Sequence, residues 1–200
     1  AINAAKARLR KGELAIGIGV RLVRNVDIIK VMKAAGFDWL FLDLEHGAMS
    51  IETACEISTA AQDSGIAPIV RVPHGELAMA TRVLDGGALG IVIPHVDTVE
   101  EAREIADRLR YPPRGHRSVG GGQAQFDYAP LPLGEMTEKS DENTLITVMI
   151  ETGWYMTYAT GGRTLARYLR RAEWQRWVGR ASGGLFVLFG LSLLVPSLMV

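Results

Sequence analysis

Five short runs of this chain are apolar on both alternating faces and end in a polar side chain, and stretches of helical periodicity lie between them. Residues 39–42 lead into Asp43, Glu45 and His46, and residues 68–72 carry Arg71. Residues 89–94 lead into His95, and residues 145–151 close on Glu151. A weaker first run, residues 14–19, leads to Arg21. Strands apolar on both faces belong to parallel sheets covered by helices, and such folds place their chemistry at the C-terminal ends of the strands.

The intervening segments, residues 25–35, 51–64, 76–84 and 98–109, have the apolar spacing of helices. Ser50 stands before IETACEI, and Asp97-Thr98 before VEEAREIADRL, with acidic residues in the first turn, as at helix starts. Strands alternating with helices imply βαβ units. A (β/α) barrel and a doubly wound sheet both fit, and the polar strand ends favour the barrel.

With 48% hydrophobic and 22% charged residues the chain reads as globular. Its one cysteine, Cys55, cannot form an intrachain disulfide; it reads as core, and the body as cytoplasmic. Residues 1–14 are charged and amphipathic, without the apolar region of a signal peptide. Zero net charge hides an asymmetry. After Thr152 come six arginines and one acid, Glu173, a balance of +5 that leaves residues 1–152 at −5. Residues 181–200 then carry no charge, and twenty residues at 1.5 Å each match a bilayer core of about 30 Å. Trp174 and Trp177 precede that run beside the arginines. A membrane-type segment and a buried C-terminal helix are both open readings. The expected organisation is a barrel-type unit over 1–152 and a divergent tail over 153–200. A net acidic body argues against nucleic-acid binding.

Five motifs in order, FDWLFLDLEHG at 37–47, IVRVP at 69–73, RVLDGGALGIVIPHV at 82–96, YPPRGHRSVGG at 111–121 and VMIET at 148–152, closely resemble the HpcH/HpaI aldolase family. The resemblance is to its hydroxy-oxo-heptanedioate type of metal-dependent class II pyruvate aldolases. It implies a (β/α)8 barrel of the phosphoenolpyruvate/pyruvate superfamily, here with five recognisable strands. The implied reaction cleaves 4-hydroxy-2-oxo acids to pyruvate and an aldehyde, using a divalent cation such as Mg²⁺, Mn²⁺ or Co²⁺, in a homo-oligomer. By the same resemblance Glu151 is a metal ligand, Arg71 holds the pyruvyl oxygens, His46 is the base and Asp85 the carboxylate that pairs with it. The chemistry asks for these types: enolate charge calls for a cation and a fixed guanidinium, and the 4-hydroxyl proton calls for a base near neutrality.

Each residue also has a structural reading. Arg71 serves equally as an ion-pair partner, His46 as a cap for the following turn, and Asp85 as part of the turn before Gly86-Gly87. Asp43 and Glu45 read either as groups orienting metal-bound waters or as a structural pair. His74, His95 and His116 read as solvated or structural, and Gly120 to Gly122 as an active-site loop rather than a phosphate cradle.

The family pattern expects a second metal-ligand aspartate after the glutamate, and no aspartate follows Asp141. The tail resembles instead the C-terminal end of lysine-exporter-type transporters, which implies a possible membrane contact through 181–200. Two alternatives to the aldolase follow: a metal- or oxoacid-binding remnant without turnover, and a citrate-lyase-β-like lyase of acyl-CoA thioesters.

Overall fold

A computed structural model describes residues 1–150. The chain divides into two compact units, Ala1–Glu151 and Thr152–Val200, and the first holds everything described below. Glu151, the arginine-rich stretch and the apolar run 181–200 lie outside the described residues.

Five parallel strands form one sheet in sequence order: β1 (Gly17–Val20), β2 (Trp39–Asp43), β3 (Ala67–Arg71), β4 (Gly90–Ile93) and β5 (Leu145–Val148). Helices α2 (Asp27–Ala34), α3 (Ile51–Asp63), α4 (Leu77–Asp85) and α5 (Val99–Leu109) connect them in turn, as the alternating pattern requires. A helix before the sheet, α1 (Ala4–Arg10), and one before β5, α6 (Leu133–Asn143), complete the set. Among the described residues β1 and β5 are the margins of the sheet.

Both faces of the sheet are apolar, for different partners. Leu40, Leu42, Val70, Val72, Ile91 and Ile93 pack with Ile29, Ile57, Val83 and Ile105 of the helices. On the opposite face Trp39, Phe41, Ile69, Val92 and Leu145 form a second cluster, into which Ala5 of α1 packs. Gly17 faces Trp39 in the β1–β2 register. A Cβ at Gly17 would lie 2.0 Å from the indole ring, so only glycine admits the tryptophan there.

The expected helix starts are realised. Ser50 Oγ accepts from the Thr53 amide at 3.1 Å and Thr98 Oγ1 from the Glu101 amide at 3.2 Å. Strand bounds differ from expectation: β1 is shifted to Gly17–Val20 and β5 ends at Val148, short of the expected 151. β4 stops at Ile93, and His95 takes a left-handed backbone with φ 56°. Sequence patterning did not anticipate α6, whose run LGEMTEKSDEN has one buried apolar residue, Met136, and therefore no apolar stripe to detect.

Helix α1 is tied to the N-terminal end of the sheet by polar groups. Asn3 caps it by accepting from the Lys6 amide, and its own Nδ2 donates to the Leu89 carbonyl at 2.7 Å. Lys6 Nζ donates to the Thr144 carbonyl at 2.6 Å. Desolvation first, and then the charges of Arg10 and Arg110, lower the Lys6 ammonium to about 8. The unfolded chain then binds the extra proton more tightly than the folded one, so this group favours folding increasingly as pH rises from about 8 toward 10.5. The wild type should gain urea resistance over that window relative to Lys6→Met, and parallel curves would remove the effect. Leu40 is fully buried between sheet and helices. Leu40→Ala should cost about 2–5 kcal/mol in the same unfolding assay.

Candidate active site

The β2–β3 register sets Asp43 beside Arg71 at the C-terminal end of the sheet. Arg71 grips the carboxylate with both arms of its fork, Nε to Oδ1 at 3.0 Å and Nη2 to Oδ2 at 2.7 Å. Two backbone amides, of Glu45 at 3.1 Å and His46 at 3.2 Å, add to Oδ1. Asp43 is 1% exposed. Its burial works to raise the carboxyl, but the Arg71 hydrogen bonds, the His46 amide, the Arg71 charge and the Glu45 amide outweigh it. Together they hold Asp43 below the ordinary carboxylate range. The guanidinium also lies 5.3 Å from the centre of the Phe41 ring.

Glu45 is the second carboxylate of the cluster. Its Oε2 lies 3.2 Å from Arg71 Nη1 and 3.4 Å from His46 Nε2, and its Oε1 lies 3.5 Å from His95 Nε2. Oε2 is buried, and no hydrogen bond of adequate geometry reaches it. His74 closes the rim: its Nδ1 lies 3.1 Å from the Pro94 carbonyl, and its ring meets His95 edge to face at 6.0 Å. Gly47 lets the chain turn closely past β2, since a Cβ there would stand 2.6 Å from the Asp43 carbonyl oxygen.

Four of the expected site residues, Asp43, Glu45, His46 and Arg71, are therefore in mutual contact. Asp85 is not among them. Helix α4 runs back from the end of β3 toward the start of β4, so its last residue stands near the N-terminal ends of the strands. There Asp85 Oδ1 accepts from Arg117 Nη2 at 2.6 Å, and Arg117, 1% exposed at its side chain, stacks on Tyr111. Within this chain Asp85 pairs with Arg117, and the carboxylate beside His46 is Glu45. The glycine run is placed the same way. A Cβ at Gly120 would lie 3.7 Å from Asp85 Oδ2, at the end of the sheet away from Arg71. His116 pairs with Asp107 on the surface, as a structural histidine does. Cys55 is half-buried, with its thiol pushed up by desolvation.

Two residues join the cluster that the sequence left aside. Arg21, just past β1, brings Nε to 3.5 Å from Asp43 Oδ2 and donates from Nη2 to the His46 carbonyl. His95 reaches Glu45 from its left-handed turn. A usable signal existed for both, since each directly follows a strand at the same end as Asp43 and Arg71.

The expected ligand Glu151 lies outside the described residues, and among those described no group of three metal-ligating side chains is assembled. What fits a hydrated hard cation is the orphaned Oε2 of Glu45, an oxygen able to accept from a metal-bound water. Among the described residues no helix is long and apolar enough to cross a membrane.

Comparison with known proteins agrees with the fold and with these motifs. The chain is 40% identical over 151 residues to a 4-hydroxy-4-methyl-2-oxoglutarate aldolase of Hapsidospora irregularis, covering 74% of this chain and 56% of that one. It is 34% identical over 163 residues to a hydroxypyruvate/pyruvate aldolase of Roseobacter denitrificans, covering 77% and 60%. A crystal structure of an HpcH/HpaI aldolase from Desulfitobacterium hafniense superposes with a TM-score of 0.71 at 32% identity, over 76% of this chain and 57% of that one. The chain thus spans little more than half the length of the relatives it matches. The family profile itself matches residues 22–157, and the chain belongs to the HpcH/HpaI aldolase/citrate lyase family.

Proposed function

We propose that this chain carries the pyruvate-binding half of a metal-dependent aldehyde-lyase site that cleaves 4-hydroxy-2-oxo acids to pyruvate and an aldehyde. The observation that carries the reading is the Arg71 guanidinium, locked by Asp43 and Glu45 at the C-terminal end of β3. The aldolase names of its relatives support the same reaction class.

In this reading Arg71 faces the oxygens of the pyruvyl half and stabilises the charge that grows on them. His46, exposed and beside Glu45, takes the proton of the 4-hydroxyl group. As that proton leaves, the C4 oxygen becomes a carbonyl, the C3–C4 bond breaks, and its electron pair moves into the pyruvate enolate. A proton added at C3 then completes pyruvate. A divalent cation, when bound, supplies a Lewis acid for the 2-oxo group. Glu151 is the proposed protein ligand, and Glu45 would accept from the waters of such a cation. Asp43 is best used as an anchor, because the Arg71 fork and two amides already occupy its oxygens. Asp85 sits in the same chain on Arg117 and is given no role in this sequence of steps. Assembly into a homo-oligomer belongs to the same proposal.

The acyl-CoA lyase reading shares the family, and nothing among the described residues favours it over the aldolase. A non-catalytic oxoacid binder is the alternative that the test must separate.

Arg71→Ala should lower pyruvate release from a 4-hydroxy-2-oxo acid at least about 10²-fold. Decarboxylation of oxaloacetate should fall with it, since both routes pass through the same enolate; retained activity would take Arg71 out of the mechanism. Removing divalent metal with EDTA should abolish pyruvate release, and Mg²⁺ or Mn²⁺ should restore it. A folded wild-type chain that binds pyruvate but never releases it from the hydroxy acid would establish the binder instead.

A further inference from the structure

We infer that Arg21 is a specificity-determining residue of this site, selecting ligands that carry a second anionic group beyond the one held near Arg71. The inference rests on the oxoacid reading above and adds the residue that would choose among oxoacids.

The two guanidinium groups meet on one carboxylate oxygen. Arg71 Nη2 lies 2.7 Å from Asp43 Oδ2 and Arg21 Nε lies 3.5 Å from the same atom. The two nitrogens are therefore at most 6.2 Å apart, the sum of those distances. The Arg71 bond is short and forked, whereas the Arg21 approach is longer than a good hydrogen bond. Three donors crowd Oδ1, and Oδ2 is shared by the two guanidinium groups.

Arg21 is nevertheless held in place. Its Nη2 donates to the His46 carbonyl, on the loop that follows β2. Its neighbour Arg24 donates to the Ala48 carbonyl at 3.1 Å on the same loop. The guanidinium is thus oriented by backbone and shares the Asp43 carboxylate with Arg71. Its Nη1 donors have no partner among the described residues, and the side chain is 57% exposed. Arg71, by contrast, is 12% exposed and engaged on three sides.

A fixed, half-exposed guanidinium beside a buried one suits an extended ligand with an anion at each end. The end carbons of a five-carbon chain lie roughly 5 Å apart, from bonds of about 1.5 Å, and the two arginines lie close enough for one such chain to address both. A ligand whose far end is neutral would leave the Arg21 donors to water and gain nothing from them. The selectivity would thus arise from charge-assisted hydrogen bonds at the far end of the ligand.

The test compares two ligands of equal length, 2-oxoglutarate and 2-oxopentanoate, by calorimetry on the full chain with Mg²⁺. The wild type should bind the diacid about 10- to 100-fold tighter. In Arg21→Gln that ratio should fall to about one, and Arg21→Lys should retain part of it. A wild type without the preference, or binding neither ligand, overturns the inference. So does Arg21→Gln weakening both ligands alike, which would assign Arg21 to holding the loop. Pyruvate release is assayed separately: a chain that shows the diacid preference but no release keeps the Arg21 assignment and loses the aldolase reading.

Discussion

The forked bond between Arg71 and Asp43 is the interaction on which the upper end of this sheet depends. A guanidinium and a carboxylate can be buried together only when geometry and further hydrogen bonds compensate for lost water. Here the fork supplies the geometry, and the Glu45 and His46 amides supply the rest. Because those amides belong to the turn after β2, the ion pair also shapes that turn. It thereby sets the directions of Glu45 and His46. One electrostatic pair links two strands, a loop and the candidate chemistry.

The opposite end of the sheet is organised by different polar groups. Asn3 and Lys6 tie α1 to the starts of β4 and β5 there, and Arg117 ties Asp85 at the end of α4 to Tyr111 after α5. Asp85 illustrates the division. A carboxylate in a motif shared with a catalytic family is, within this chain, the partner of a buried arginine far along α4 from the strand ends. In barrel-type sheets, one end carries function and the other stability. The contacts of Asp85 inside this chain are of the second kind.

Much of this was legible beforehand. The run FDWLFLDLEHG identified a buried strand with a polar terminus, and the periodicity of IETACEI and VEEAREIADRL identified helices with their caps. Arg71 was visible as a charge on an otherwise apolar strand. What could not be read was pairing. Asp43 and Arg71 are 28 residues apart, and nothing local says that β2 and β3 run in a register that makes them neighbours. Arg21 follows a weak strand, and a single arginine there carries no pattern that assigns it to the site. Helix α6 is nearly all polar and leaves no apolar period to read.

The sequence by itself determined the alternation of strands and helices, the family, and the residue types available at the strand ends, because these follow from local periodicity and from ordered motifs. Tertiary structure decided which of those residues meet. Contact between Arg21, Asp43 and Arg71, the pairing of Asp85 with Arg117, and the meeting of His95 with Glu45 all depend on strand register, helix direction and a left-handed turn at His95. Those are properties of segments distant in sequence and brought together by burial of the sheet, so no local pattern encodes them.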